Sequence, residues 1–143
     1  MKRSPLRKQS KQKISVIQRK LWEVCRQIKL ITEAHDGKID CYTCDQKNLE
    51  GSNRQLGHMW AKAALGAYLK YDLRVLKWQC YSCNINRGGA GADFYKRMLE
   101  EIGEEKMTKL QKDRQVMVKA YDWYVKQLAE YTELLKHLST CMP

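Results

Sequence analysis

Apolar positions along the chain fall into three regimes, each with its own spacing. From Ser15, Val16, Ile17, Leu21, Val24, Cys25, Ile28 and Ile31 recur on one face with Lys and Arg on the other, which predicts an amphipathic helix over 15–36. Ser10 or Ser15 can cap its start, and Gly37 after His35-Asp36 ends it, with His35 a residue of the helix end. The middle of the chain is different. A polar loop over 45–54 leads into a short strand, Gln55-Leu56-Gly57-His58, and the alanine-rich stretch 61–69 forms a brief helix or a ligand-gripping loop. A second strand is expected over 73–78, with Leu73, Val75 and the stem of Lys77 alternating against Arg74, Leu76 and Trp78. A glycine-rich turn, 87–91, then opens a helix over 93–102 with Phe94, Met98 and Ile102 on one side and Gly103 as its stop. After a short amphipathic piece over 104–110, the last regime is a long helix over 114–137. There Val118, Tyr121, Val125, Leu128, Thr132 and Leu135 step by three and four, a heptad-like stripe. Trp123, Tyr124, Tyr131, Leu134 and Leu138 lie off that seam and offer a second apolar face for another chain, while His137 sits near the helix end facing solvent.

The chain of 143 residues allows one domain with a modest core, and the aliphatic-poor middle is expected to depend on a bound metal. The formal net charge of +11 is unevenly spread. Lys2, Arg3, Arg7, Lys8, Lys11, Lys13, Arg19 and Lys20 fall within the first twenty residues with no acid among them. Residues 1–14 therefore read as a basic, flexible arm, because self-repulsion and low apolar content give little return for ordering. Against a polyanion the same charge is favourable, since neutralising phosphates releases counterions. Nucleic acid is the expected partner, a solubilising tail the alternative. No stretch approaches the roughly 20 apolar residues of a membrane span, and no apolar block suited to secretion follows the basic start, so a cytoplasmic location is expected.

The cysteines narrow the chemistry further. Cys41 and Cys44 form one CxxC pair, Cys80 and Cys83 a second. A CxxC turn places two soft thiolates on one side of a tight loop, and two such turns complete a closed tetrahedral zinc site. The alternatives are buried thiols or two disulfides. The segment between the pairs, 45–79, is longer than the roughly 15–20 residues of a compact zinc ribbon and must fold on its own account, for which a hairpin is suited. Cys25 belongs to the apolar face of the first helix and Cys141 to the tail.

The matching pieces are Cys41-Tyr42-Thr43-Cys44, Leu56-Gly57-His58, Tyr71-Asp72, Gln79-Cys80-Tyr81-Ser82-Cys83-Asn84, the glycine turn, Tyr95, Ile102-Gly103 and the final Tyr- and Leu-containing helix. In this order they resemble the phage NinG/Rap recombination endonucleases, within the HNH or ββα-metal nuclease superfamily, over roughly residues 20–138. The resemblance implies an α+β fold: a small zinc-stapled ββα-metal core over 37–103, flanked by the N-terminal helix (15–36) and C-terminal helices (104–143), all in a single nuclease domain, 15–143. It also implies a structure-specific DNA endonuclease acting on branched recombination intermediates, a Holliday junction or D-loop, in the cytoplasm of a phage-infected bacterium. Symmetric cutting favours a homodimer, with the C-terminal helix as the expected contact.

Phosphodiester hydrolysis needs a base to prepare water and a cation to stabilise developing charge. His58 is the expected general base, because a histidine with a reference pKa of roughly 6.5 is largely neutral near pH 7. Asn84 offers a neutral oxygen to a hard ion, Mg2+ or Mn2+, with His58 beside it as a second candidate ligand. Arg87 is placed to clamp a phosphate. Backbone contacts are expected from Arg3, Arg7, Lys8, Lys11, Lys62, Lys70, Arg74, Lys77 and Arg87, and base stacking from Trp60 and Tyr68. Two departures stand out. Gly57 replaces the Asp or His that binds the ion in many ββα-metal nucleases, leaving a ligand to come from Asp72, Asn86, Asp93 or water. Val75 replaces the usual Asn that steadies the histidine loop, which removes a positioning hydrogen bond and slows catalysis. These departures motivate another reading, a zinc-dependent, non-catalytic DNA-binding recombination adaptor; a second alternative is a generic HNH nicking enzyme on linear duplex.

Overall fold

The structure is a computed structural model that describes residues 5–118 and 121–141, without the side chains of 5–12 and 62–63. It is a mixed α+β fold with a two-stranded antiparallel sheet and a cluster of four cysteines that could bind a metal. The chain divides into two compact units, one made of 1–32 with 118–143 and the other of 33–117.

The first unit holds helix α1 (Pro5–Glu33) and helix α4 (Tyr121–Thr140). Ile17, Leu21, Cys25 and Ile28 are its buried stripe on α1, matching the expected helical spacing. The backbone is helical from Pro5, not from Ser15, so residues 5–14 of the basic arm lie on the helix. Arg3 lies outside the described residues. On α4 the inner face is turned from the one expected. Tyr124 is buried and Leu128, Tyr131, Leu135 and Leu138 are half-buried, a 4-3-4-3 stripe, whereas Tyr121 and Val125 are exposed. Tyr124, Tyr131 and Leu138, read as lying off the seam, are on it, because aromatic rings have more apolar area to remove from water than Val125.

The second unit contains the hairpin. After α1, Asp36 and Gly37 both adopt positive φ (53° and 74°) between the mutually bonded His35 and Lys38, a tight turn that favours such residues. Strand β1 (Gln55–His58) pairs with β2 (Leu76–Gln79) in the register Gln55 with Gln79 through His58 with Leu76. The second strand starts three residues later than the alternation suggests. Leu73–Val75 is a 3-10 turn instead, because the Asp72 carboxylate accepts from the Arg74 backbone N–H (2.9 Å) and side chain, bending the chain before β2. Leu76, Trp78 and Gln79 are all buried, so both faces of β2 are covered and a polar/apolar alternation could not mark them.

Helix α2 (Lys62–Leu65) is brief. Helix α3 (Gly91–Asp113) is broken at Gly103, whose φ of 83° and ψ of 167° no helix interior accepts. The break lets both halves address one core: Phe94 and Met98 from before it, Met107 and Leu110 from after it, against Met59, Leu65, Leu69 and Val75. Burying a ring such as Phe94 contributes about 1.5–3 kcal/mol.

Two glycines in this unit have different tolerances. A Cβ on Gly66 (φ 77°) would lie 2.4 Å from the Arg114 carbonyl oxygen, whereas one on Gly103 would meet open space. Gly66→Ala is expected to lose about 3 kcal/mol or more, strain and clash combined, and Gly103→Ala about 1–2 kcal/mol from backbone strain alone. Urea denaturation of the two variants checks the order; equal losses would mean that Arg114 yields easily.

Candidate metal centre and hairpin site

Each cysteine pair occupies a turn whose backbone N–H groups face sulfur. Gln46 N–H donates to Cys44 Sγ (3.4 Å), Cys80 N–H to Cys41 Sγ (3.3 Å) and Cys83 N–H to Cys80 Sγ (3.4 Å). The first turn is tied to β2 by Tyr42 N–H on the Trp78 carbonyl (2.9 Å), the second to the loop before β1 by Tyr81 N–H on Asn53 Oδ1 (2.9 Å). All four sulfurs lie within 4.8 Å of one another, and Cys44 Sγ is 3.7 Å from Cys80 Sγ. A tetrahedral zinc with Zn–S bonds of about 2.3 Å requires sulfur–sulfur edges of roughly 3.8 Å. The donor set therefore fits a structural metal such as zinc. All six cysteines are free thiols, which sets aside the disulfide alternative; Cys25 is buried and Cys141 exposed.

The electrostatics of the cluster are unbalanced without a cation. Burial raises the Cys41 thiol, but N–H groups of Cys80 and Thr43 and the Thr43 hydroxyl outweigh it and bring the thiol down to about 6. Burial pushes Cys44 up to about 12, assisted by the neighbouring thiols, and raises Cys80 as well. One sulfur ionises readily and the next resists, as expected of like charges crowded together. The Arg87 guanidinium supplies a further positive contact, Nη1 to Cys83 Sγ at 3.7 Å.

Beside this centre the hairpin positions the remaining candidates. Strand alternation places Gln55, Gly57, Lys77 and Gln79 on one face and Leu56, His58, Leu76 and Trp78 on the other. His58 ends β1, half-buried, with Nε2 2.9 Å from the Lys70 carbonyl oxygen. A carbonyl only accepts, so Nε2 carries the proton and the acceptor role in the neutral ring falls to Nδ1. This bond steadies the histidine where an asparagine was missed at position 75; Val75 itself is buried in the core and accepts Met59 N–H through its carbonyl (3.2 Å).

Asn84 follows Cys83 within a π-helical turn (Ser82–Asn86). Its Nδ2 donates to Gln55 Oε1 (2.8 Å) and its Oδ1 faces Gly57, 3.0 Å from where a Cβ would be. Gln79 reaches the same point. Its Oε1 would be 2.0 Å from that Cβ, so Gly57 is bare because the Gln79 amide fills the space a side chain would need. Sequence reasoning missed this residue. A polar side chain immediately before Cys80 was the available signal, read only as part of the knuckle motif.

The other oxygens considered for an ion are engaged or remote from this point. Asp72 is held by Arg74 (Nη2 at 2.7 Å), Asp93 pairs with Arg87, and Asn86 is exposed in the π turn. Most of the expected phosphate-binding side chains in the second unit are also occupied. Arg74 bridges Asp72 and Asp113; Lys77, only 15% exposed, binds Glu101 (3.2 Å) and lies over the Tyr42 ring; Lys70 lies over Tyr71. Trp60 packs on the core under the Arg114 guanidinium (4.5 Å), and Tyr68 packs against the same core. The side chains of Arg7, Lys8, Lys11 and Lys62 lie outside the described set.

The chain matches no family model, no curated protein and no solved structure.

Structural zinc contributes on the order of 10 kcal/mol or more to domains of this kind, more than the typical total stability of a small domain. Metal analysis of purified protein should give one zinc per chain, and chelation should melt residues 33–117 as judged by amide exchange. Cys44→Ala should lose the metal while Cys25→Ser keeps it; retention of zinc by Cys44→Ala would remove that cysteine from the ligand set.

Proposed function

We propose that the chain is a zinc-stapled, divalent-metal-dependent DNA endonuclease acting on branched DNA such as a four-way junction or D-loop. The observation that carries the reading is His58, held by the Lys70 carbonyl at the end of a hairpin that both cysteine turns brace, with Asn84 facing the adjacent Gly57 from the other side of the strand. The sequence resemblance to NinG/Rap nucleases supports it from a separate direction.

In this reading the Lys70 carbonyl fixes the ring tautomer, and Nδ1 of His58 takes the proton of the attacking water. Asn84 Oδ1 would hold a divalent cation, which would supply charge neutralisation at the phosphate. Arg87 exchanges Asp93 for a phosphate oxygen as DNA arrives. That exchange is cheap, since an exposed ion pair contributes only about 0–1 kcal/mol, and both partners here are about half exposed. Arg74 is a poorer candidate, being doubly paired to carboxylates that are only 18% exposed. Non-specific affinity comes mainly from the basic segment carrying Arg7, Lys8, Lys11 and Lys13, helical from Pro5 onward. Symmetric incision asks for two copies of the chain.

Zinc-loaded protein incubated with a labelled four-way junction should cut it with Mg2+ and not with EDTA, and should spare a linear duplex of matched sequence. His58→Ala should lower cutting by about 10²–10⁴-fold with junction binding intact. Salt-sensitive binding without any divalent-dependent cutting would instead establish the adaptor reading, and equal cutting of linear duplex the generic nicking enzyme.

A further inference from the structure

We propose that Gln79 Oε1 is the protein oxygen that completes the divalent-cation site, beside Asn84 Oδ1, at the face of Gly57. The inference rests on the endonuclease reading above for the role of the cation, but not for its binding.

Gln79 is fully buried, and its amide orientation is fixed by its neighbours. Nε2 lies 2.8 Å from the Gly89 carbonyl oxygen and 2.8 Å from Thr43 Oγ1. Because a carbonyl can only accept, the atom facing Gly89 must be the nitrogen, and Oε1 faces Gly57. That oxygen is buried and has no hydrogen-bond partner. A buried acceptor without a donor is costly, and such atoms persist where a ligand or ion satisfies them.

The second oxygen converges from the next turn. Asn84 Oδ1 faces the same bare Cα, and its amide nitrogen is committed to Gln55. Two carbonyl-type oxygens thus flank one point with no proton between them, an arrangement that repels unless a cation or a water donor joins them. Asn84 is half-buried, whereas Gln79 is fully buried. Neutral amide oxygens suit a hard divalent ion, which takes its other ligands from water and a substrate phosphate. Gln79 precedes Cys80 and Asn84 follows Cys83, and four cysteine sulfurs holding one divalent metal as thiolates would carry a net negative charge beside the site. Gly57 then has a defined role: it leaves room for an oxygen delivered from position 79, where a side chain of its own would collide with it.

The test is a Mn2+ titration of zinc-loaded, DNA-free protein, with free Mn2+ read by electron paramagnetic resonance and zinc content measured alongside. Wild type should bind one Mn2+ per chain. Gln79→Ala and Asn84→Ala should each weaken it at least tenfold with zinc retained. Placing a carboxylate in the vacated space, with Gly57→Asp added to Gln79→Ala, should restore binding. If Gln79→Ala loses its zinc, Asn84→Ala and the double variant decide the matter. Absence of Mn2+ binding by wild type, or unchanged binding by zinc-retaining Asn84→Ala or Gln79→Ala, would overturn the proposal and leave Gln79 as packing against the glycine. A double variant that keeps zinc but not Mn2+ would do the same. Mn2+ binding with this pattern but no junction cutting would overturn the nuclease reading alone.

Discussion

Convergence of four sulfurs from two distant turns is the constraint on which the second unit depends. The hairpin has only four residues in each strand, and an isolated two-stranded hairpin is marginal in water. Its ends are held instead by the cysteine turns: Tyr42 N–H on the Trp78 carbonyl from one, Tyr81 N–H on Asn53 from the other. A cation among the sulfurs removes the conflict that leaves Cys41 and Cys44 displaced in opposite directions. The N–H groups aimed at sulfur orient each thiolate, so metal affinity and backbone geometry are determined together.

Gln79 connects this centre to the hairpin face opposite His58. One amide spans the first cysteine turn through Thr43, the glycine turn through Gly89 and strand β1 through Gly57. Nearby, Tyr42 packs against Phe94 (5.2 Å between ring centroids), and its hydroxyl donates to Glu101, which also takes Lys77. Burial, then the Glu101 carboxylate, raises the Tyr42 hydroxyl, keeping it a donor. The cations of the hairpin and of the turn before it thus serve largely to fasten the fold, which leaves Arg87, paired with an exposed aspartate, more easily redirected than Arg74 or Lys77.

Much of this was legible in the residues. The CxxC spacing identified the sulfur cluster because metal coordination requires little beyond ligand type and tight turns. The limits of β1 and the break at Gly103 were also readable, since Gly-His before a polar loop and a helical glycine are strong local signals. What escaped depends on partners distant in sequence. The late start of β2 follows from Asp72 bonding to Arg74 rather than from any apolar pattern. The turned face of α4 reflects which aromatic rings are covered, and periodicity alone gave two overlapping stripes. Gln79 was invisible as a packing element because its significance lies in the missing Cβ of Gly57, and no local pattern couples positions 57 and 79.

The order in which the sulfurs are made has its own consequence. Cys41 and Cys44 precede Cys80 by a segment whose closure costs roughly 3 kcal/mol of chain entropy for some 35 residues. At about 5–20 residues per second, a ribosome delivers the second pair roughly 2–7 s after the first. During that interval the leading pair is a two-coordinate thiol site on an unclosed loop, able to exchange metal or oxidise. If the cluster takes zinc, metal loading and hairpin closure become one event on the nascent chain, and the supply of zinc during synthesis would govern how much protein reaches its folded form.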